Sequence, residues 1–205
     1  MSQENEEDNP EDGIKVILIG ESGVGKTNLI NITMGENFND NEKSTAASSL
    51  SKKIITLNKR EYKLDLWDTI GQEQYRQLTK IFFNNAKIVI FVYDITCKES
   101  FEGLPDWKKD VDDQIGNDYV KGVVGNKSDL YLQEEIKTEV GEEYANNIEA
   151  KFLLVSAKND DPKKFEEYLK ELLEEYLLTK KGGNNGRFSI TRKSIKEPKK
   201  SNCCK

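Results

Sequence analysis

Short strings of residues able to hold a charged, oxygen-rich ligand occur where apolar stretches end. Gly20-Glu21-Ser22-Gly23-Val24-Gly25-Lys26-Thr27 has the spacing G-x-x-x-x-G-K-[ST]. Glycines at this spacing let the backbone wrap an anion with its N–H groups turned inward. A helix opening behind them points its positive end at the same place. Lys26 can reach outer phosphates, and the Thr27 hydroxyl can ligate magnesium, a hard cation that takes oxygen ligands. The string specifies a nucleoside triphosphate but no base, because ATPases and nucleotide kinases share it.

A second string, Asn126-Lys127-Ser128-Asp129, follows the apolar run 119–125. Ligands of open parallel sheets bind at the carboxyl ends of strands. A carboxylate there can accept from N1–H and the 2-amino group of guanine. Adenine lacks that donor pair and would leave a buried charge unpaired. Ser156-Ala157-Lys158 occupies the same position after the last predicted strand, where a backbone N–H can meet guanine O6. Asp68-Thr69-Ile70-Gly71-Gln72 follows another strand. An Asp there can hold magnesium through water, a glycine N–H can approach a γ-phosphate, and a Gln can orient an attacking water.

The positioning elements follow from hydrophobic patterning. It predicts strands over 14–19, 50–57, 62–67, 88–93, 119–125 and 152–155. Helices are predicted over 27–34, from Pro105 to about 115, over 134–147 and from Pro162 to about 178. Strands alternating with helices imply an α/β fold of the P-loop NTPase type, a mostly parallel six-stranded sheet with helices on both faces. The expected division is an acidic, disordered N-terminus over 1–12, a nucleotide-binding domain over 13–180 and a flexible basic tail over 181–205.

Composition removes other classes. With no histidine and a net charge of −6, the chain has no Ser-His-Asp or Cys-His arrangement, and charge gives no support to nucleic-acid binding. Cys97, Cys203 and Cys204 build neither a disulfide framework nor an ordinary zinc site. The longest apolar run, 88–93, falls far short of the about 20 residues of a membrane span, and the acidic start lacks an apolar signal segment. The folded part is therefore expected in the cytosol.

Taken together, these motifs resemble the Ras superfamily of small GTPases over roughly 14–178. The resemblance implies GTP or GDP as the bound nucleotide, with Mg2+. Its phosphate-binding set is Ser22, Gly23, Val24, Gly25, Lys26, Thr27, Asn28, Thr45 and Gly71. Its guanine-binding set is Phe38, Asn126, Lys127, Asp129, Ser156, Ala157 and Lys158. Thr27 and Thr45 would ligate the metal directly and Asp68 through water, while Gln72 would position the hydrolytic water. Lys63-Leu64-Asp65-Leu66-Trp67-Asp68-Thr69 with Gly71-Gln72-Glu73, and Phe91-Val92-Tyr93-Asp94-Ile95-Thr96 with Glu99-Ser100-Phe101, resemble the Rab branch. So does the ending Cys203-Cys204-Lys205, which is similar to a double-prenylation signal rather than a C-a-a-X box. The resemblance implies an exchange factor, a GTPase-activating protein (GAP), a GDP-dissociation inhibitor or escort protein, effectors, and a monomer. The expected location is the cytoplasmic face of an endomembrane, in cycle with the cytosol.

The pattern departs from Rab in places. Ala46-Ala47-Ser48-Ser49-Leu50 replaces the usual I-G-V-D-F, Ile70 replaces an alanine, and Asn84-Asn85 replaces Arg-Gly. Leu50, Trp67 and Phe82 would form the apolar patch that effectors touch. Alongside a cycling switch, a non-cycling GTP-binding interaction module stays open. Asn126 to Asp129 argues against a P-loop ATPase or nucleotide kinase.

Overall fold

In the structure, a computed structural model describing residues 13–40, 45, 48–70 and 80–183, the most central position is taken by the first apolar run. It forms β1 (Ile14–Ile19), whose last four residues are buried. The chain continues through α1 (Lys26–Thr33), β2 (Ser49–Leu57), β3 (Arg60–Asp68), a single turn at Lys80–Phe83, and β4 (Ile88–Asp94). Then follow α2 (Lys98–Glu102), α3 (Leu104–Ile115), β5 (Val120–Asn126), a turn at Ser128–Gln133, α4 (Thr138–Asn147), β6 (Lys151–Leu154) and α5 (Pro162–Gly183).

The six strands lie in the order β2-β3-β1-β4-β5-β6. Only the β2–β3 pair is antiparallel. β4 and β5 are buried at every residue, as parallel strands covered on both faces require. Alternate side chains of a strand point to opposite faces, and the core divides accordingly. Val16, Leu18, Ile90 and Val92 pack with Leu29 of α1 and Leu169 and Leu172 of α5. Ile17, Ile19, Phe91 and Val123 pack with Trp107 and Val111 of α3 and Ala145 of α4. Among the described residues, no helix is long and apolar enough to cross a membrane.

The observed elements match the expected order, with informative shifts. The fifth strand includes Asn126, which pairs with Asp94 in register, so the first residue of the base-reading string is held by the sheet itself. The helix expected from residue 134 starts at Thr138. The N–H groups of Glu135 and Ile136 both donate to the Ile95 carbonyl, at 2.8 and 3.1 Å, which ties this segment to the end of β4 and delays the helix. The short helix α2 was not expected. The last helix runs past residue 178 to Gly183, with Leu177 still packed on the core.

Chain order puts β1 between β3 and β4, so the connections leave it in opposite directions. That reversal opens a crevice at the carboxyl ends of the strands, where α/β sheets bind ligands.

Candidate functional site

A cavity of about 410 Å³ occupies this crevice, lined from the loops after β1, β5 and β6 and from the segment after α1. This is within the size range of small-molecule sites. Its floor is shaped by glycines that tolerate no side chain. Gly20 has φ 145° and a Cβ there would strike the Val92 carbonyl oxygen. At Gly25, with φ 95°, a Cβ would strike the side-chain amide of Asn126. These contacts bring the loop down onto β4 and against β5.

Lys26 is the buried cation of the cavity, 5% exposed. Its Nζ donates to the carbonyls of Gly20 and Glu21 at 2.9 and 2.8 Å. Burial lowers its pKa to about 8, against the opposing pull of the Asp68 and Glu21 carboxylates. An ammonium held this way gains most from a polyanion, which would replace partial negative charges by full ones.

At the far end, the Asn126 side chain bridges two loops. Its Nδ2 donates to Val24 O at 2.8 Å, and its Oδ1 accepts from the Ala157 N–H at 3.1 Å. The Ser156 hydroxyl donates to Asp129 Oδ1 at 2.5 Å, orienting that carboxylate at the rim. Lys127 sits at φ 65° and pairs through Nζ with Asp94 Oδ2 at 2.6 Å. Phe38 and Lys158 meet at the mouth, with the Lys158 ammonium 5.5 Å from the ring centroid.

Between the ends, Thr27 Oγ1 donates to Asp68 Oδ2 at 2.7 Å and lies 2.9 Å from Thr45 Oγ1, which is 3.2 Å from the same carboxylate oxygen. Among the described residues, no group of three or more carboxylate or thiol side chains could hold a metal. The gathered set is instead two hydroxyls and one carboxylate, all hard oxygens. It suits magnesium, which takes few protein ligands and keeps several waters.

The structure thus brings Ser22, Gly23, Gly25, Lys26, Thr27, Asn28, Phe38, Thr45, Asn126, Lys127, Asp129, Ala157 and Lys158 to one cavity. Val24 and Ser156 stand behind it through the bonds above. The Asn28 side chain also has partners outside the cavity. Asn28 Nδ2 donates to Asn39 O at 3.2 Å, and Asn28 Oδ1 accepts from the Asn39 N–H at 3.1 Å. Its amide is therefore committed to the neighbouring segment. Gly71, Gln72, Cys203 and Cys204 lie outside the described residues.

Sequence reasoning missed Glu21 and Asp40. The buried indole of Trp107 on α3 donates to Glu21 Oε1 at 2.9 Å, tying the phosphate loop to a helix beneath it. No local signal pairs residues so far apart in the chain.

Residues 15–177 match the Ras family model. The chain belongs to the Ras family. Its relatives refine this to the Rab branch. It is 35% identical to Ras-related protein Rab-30 of Homo sapiens over 147 residues, 72% of each chain. It is 35% identical to Ras-related protein RABC1 of Arabidopsis thaliana over 184 residues, 88% of this chain and 86% of that one. It is 32% identical to Ras-related protein Rab-13 of Rattus norvegicus over 193 residues, 93% and 94% of the two chains. The protein is a Rab-type small GTPase by family.

Two of the departures from the Rab pattern, Leu50 and Ile70, can now be located, while Ala46 and Ala47 lie outside the described residues. Leu50 lies directly across from Trp67 in the β2–β3 register and is 42% exposed. The Trp67 and Phe82 rings are 5.4 Å apart. These three residues thus share one surface. Ile70 is buried at 6% exposure, so the larger side chain is accommodated inside rather than displayed.

Proposed function

We propose that this Rab-type protein is a GTP-binding and GTP-hydrolysing switch, alternating between GDP and GTP forms to recruit effectors in vesicle-mediated membrane traffic. The observation that carries the reading is the Asn126 amide, which joins the phosphate loop at Val24 to the base-side loop at Ala157. A pocket built this way senses both ends of one nucleotide. In it, the backbone of 22–28 and Lys26 hold the phosphates, Asp129 accepts from guanine, and Phe38, Lys127 and Lys158 flank the base. Thr27 and Thr45 would hold Mg2+ directly and Asp68 through water, and the ion would neutralise charge between the outer phosphates.

Hydrolysis of this kind needs positioning and charge more than covalent help, consistent with a chain without histidine. Gly71 is assigned to the γ-phosphate and Gln72 to the attacking water. The intrinsic rate is slow, and a GAP supplying an arginine would raise it by about 10³–10⁵. Release of the γ-phosphate frees the loops it holds, an order–disorder switch that effectors read at Leu50, Trp67 and Phe82. Prenylation of Cys203 and Cys204, with attraction between the basic residues of 187–200 and anionic lipid, would supply two anchoring signals on the cytoplasmic face of an endomembrane. An escort protein or GDP-dissociation inhibitor would cover the lipid in the cytosol. Buried Ile70, which stands where the family carries a smaller residue two positions before Gln72, leaves room for the one other reading, a GTP-binding module with little hydrolysis.

Single-turnover hydrolysis and nucleotide exchange on the purified chain test both. Tight, magnesium-dependent binding of GTP over ATP with slow hydrolysis is expected, and Gln72→Leu should abolish stimulation by a GAP. Binding without hydrolysis, even with a GAP, would select the non-cycling module. Equal binding of ATP would remove the guanine assignment.

A further inference from the structure

Residues 38–40 cross the mouth of the cavity between two attachments. The inner one is Asn28, whose 8%-exposed amide brackets the backbone of Asn39 through two hydrogen bonds. The outer one is an ion pair, Lys158 Nζ to Asp40 Oδ1 at 2.7 Å, which joins this segment to the loop after β6. The same ammonium faces the Phe38 ring, so one cation holds both an aromatic side and a carboxylate end of the strap. Both partners of the pair also line the cavity.

We propose that Asp40 is a positioning residue for nucleotide retention: with Lys158 it clasps the strap 38–40 across the cavity mouth, and opening of this clasp precedes nucleotide release. The inference rests on the nucleotide-binding reading above. A nucleotide leaving the cavity has to pass between the two loops that the pair connects. The Asn28 anchor keeps the strap's base in place, so separation of Asp40 from Lys158 swings its outer end alone. Both side chains are well exposed, Asp40 at 66% and Lys158 at 47%. The clasp is therefore weak, salt-sensitive and suited to repeated opening rather than permanent closure.

The test is release of a fluorescent GDP analogue from the full-length chain with magnesium present, at low and high salt. Asp40→Asn should speed release by about 1.5- to 5-fold at low salt, as expected for one exposed ion pair, and the difference should shrink at high salt. Asp40→Lys should be faster still, and Asp40→Glu, which keeps the carboxylate, should stay near the wild-type rate. A purely structural role for Asp40 predicts neither the salt dependence nor the rescue by Asp40→Glu. If the wild-type chain binds no labelled GDP, the functional reading and the clasp both fall. If it binds tightly and Asp40→Asn releases at the wild-type rate, or Asp40→Glu releases as fast as Asp40→Asn, the clasp alone is wrong.

Discussion

At the end of the cavity assigned to phosphates, the structure offers a glycine-shaped backbone loop and one buried ammonium that leans on the carbonyls of that loop. At the base end they are side chains, each aligned by another group: Asn126 by Val24 and Ala157, Asp129 by Ser156, Lys127 by Asp94. In the proposed reading, the first end, built from charge and backbone shape, would accept any phosphate chain. The second, built from directional donors and acceptors, would accept one pattern of base edges. Affinity and selectivity are thus expected to reside in different residues, with Gly25 and Asn126 as the contact between them.

The contrast breaks most visibly at Lys26. Lys26→Ala should lower affinity for GDP and GTP about 10²–10³-fold with little change in their preference over ATP, since it removes charged hydrogen bonds to any nucleotide. Titration with fluorescent guanine and adenine analogues would show this; a change in base preference would blur the distinction. Asp129→Ala should do the reverse, cutting the preference for GTP over ATP about 100-fold through lost charged hydrogen bonds to guanine. An unchanged ratio in competition binding would move base selection elsewhere.

A pH series sharpens the phosphate end. Burial leaves the Lys26 pKa at about 8 in the nucleotide-free protein, and bound phosphates raise it. Below pH 8 the ammonium is already present and affinity should be flat. Above it, binding must take up a proton, so affinity should fall by up to tenfold per pH unit. The Glu21 carboxylate raises this pKa, so Glu21→Gln should bring the onset to lower pH. An onset unmoved by Glu21→Gln would detach that carboxylate from Lys26. The smallest effect is expected at the junction. Gly25→Ala places a Cβ at positive φ and against Asn126, which should cost about 1–2 kcal/mol in denaturant unfolding. It should also weaken affinity and selectivity together; a loss in only one would show the two ends to be uncoupled.

Legibility in the sequence varied with contact distance. The phosphate loop was readable because its parts lie within one eight-residue string, and glycine spacing reports backbone shape directly. The order of strands and helices was readable from apolar periodicity, and the strand-end placement of Asn126 to Asp129 followed from it. The start of α4 was not, because it is set by hydrogen bonds to Ile95 that no local pattern announces. Nor was the use of the Asn28 amide, which holds the backbone of Asn39 eleven positions on.

By itself the sequence determined the fold class and the family, and it put the glycine-rich loop and the string Asn126 to Asp129 at strand ends. Each of these depends on periodicity or on neighbours in the chain. Only the tertiary structure decided which distant groups meet: Asn126 with Val24 across 102 positions, Trp107 with Glu21 across 86, and Lys158 with Asp40 across 118. Such contacts depend on strand register and on how each loop leaves its strand, and both are settled only when the sheet packs between its helices.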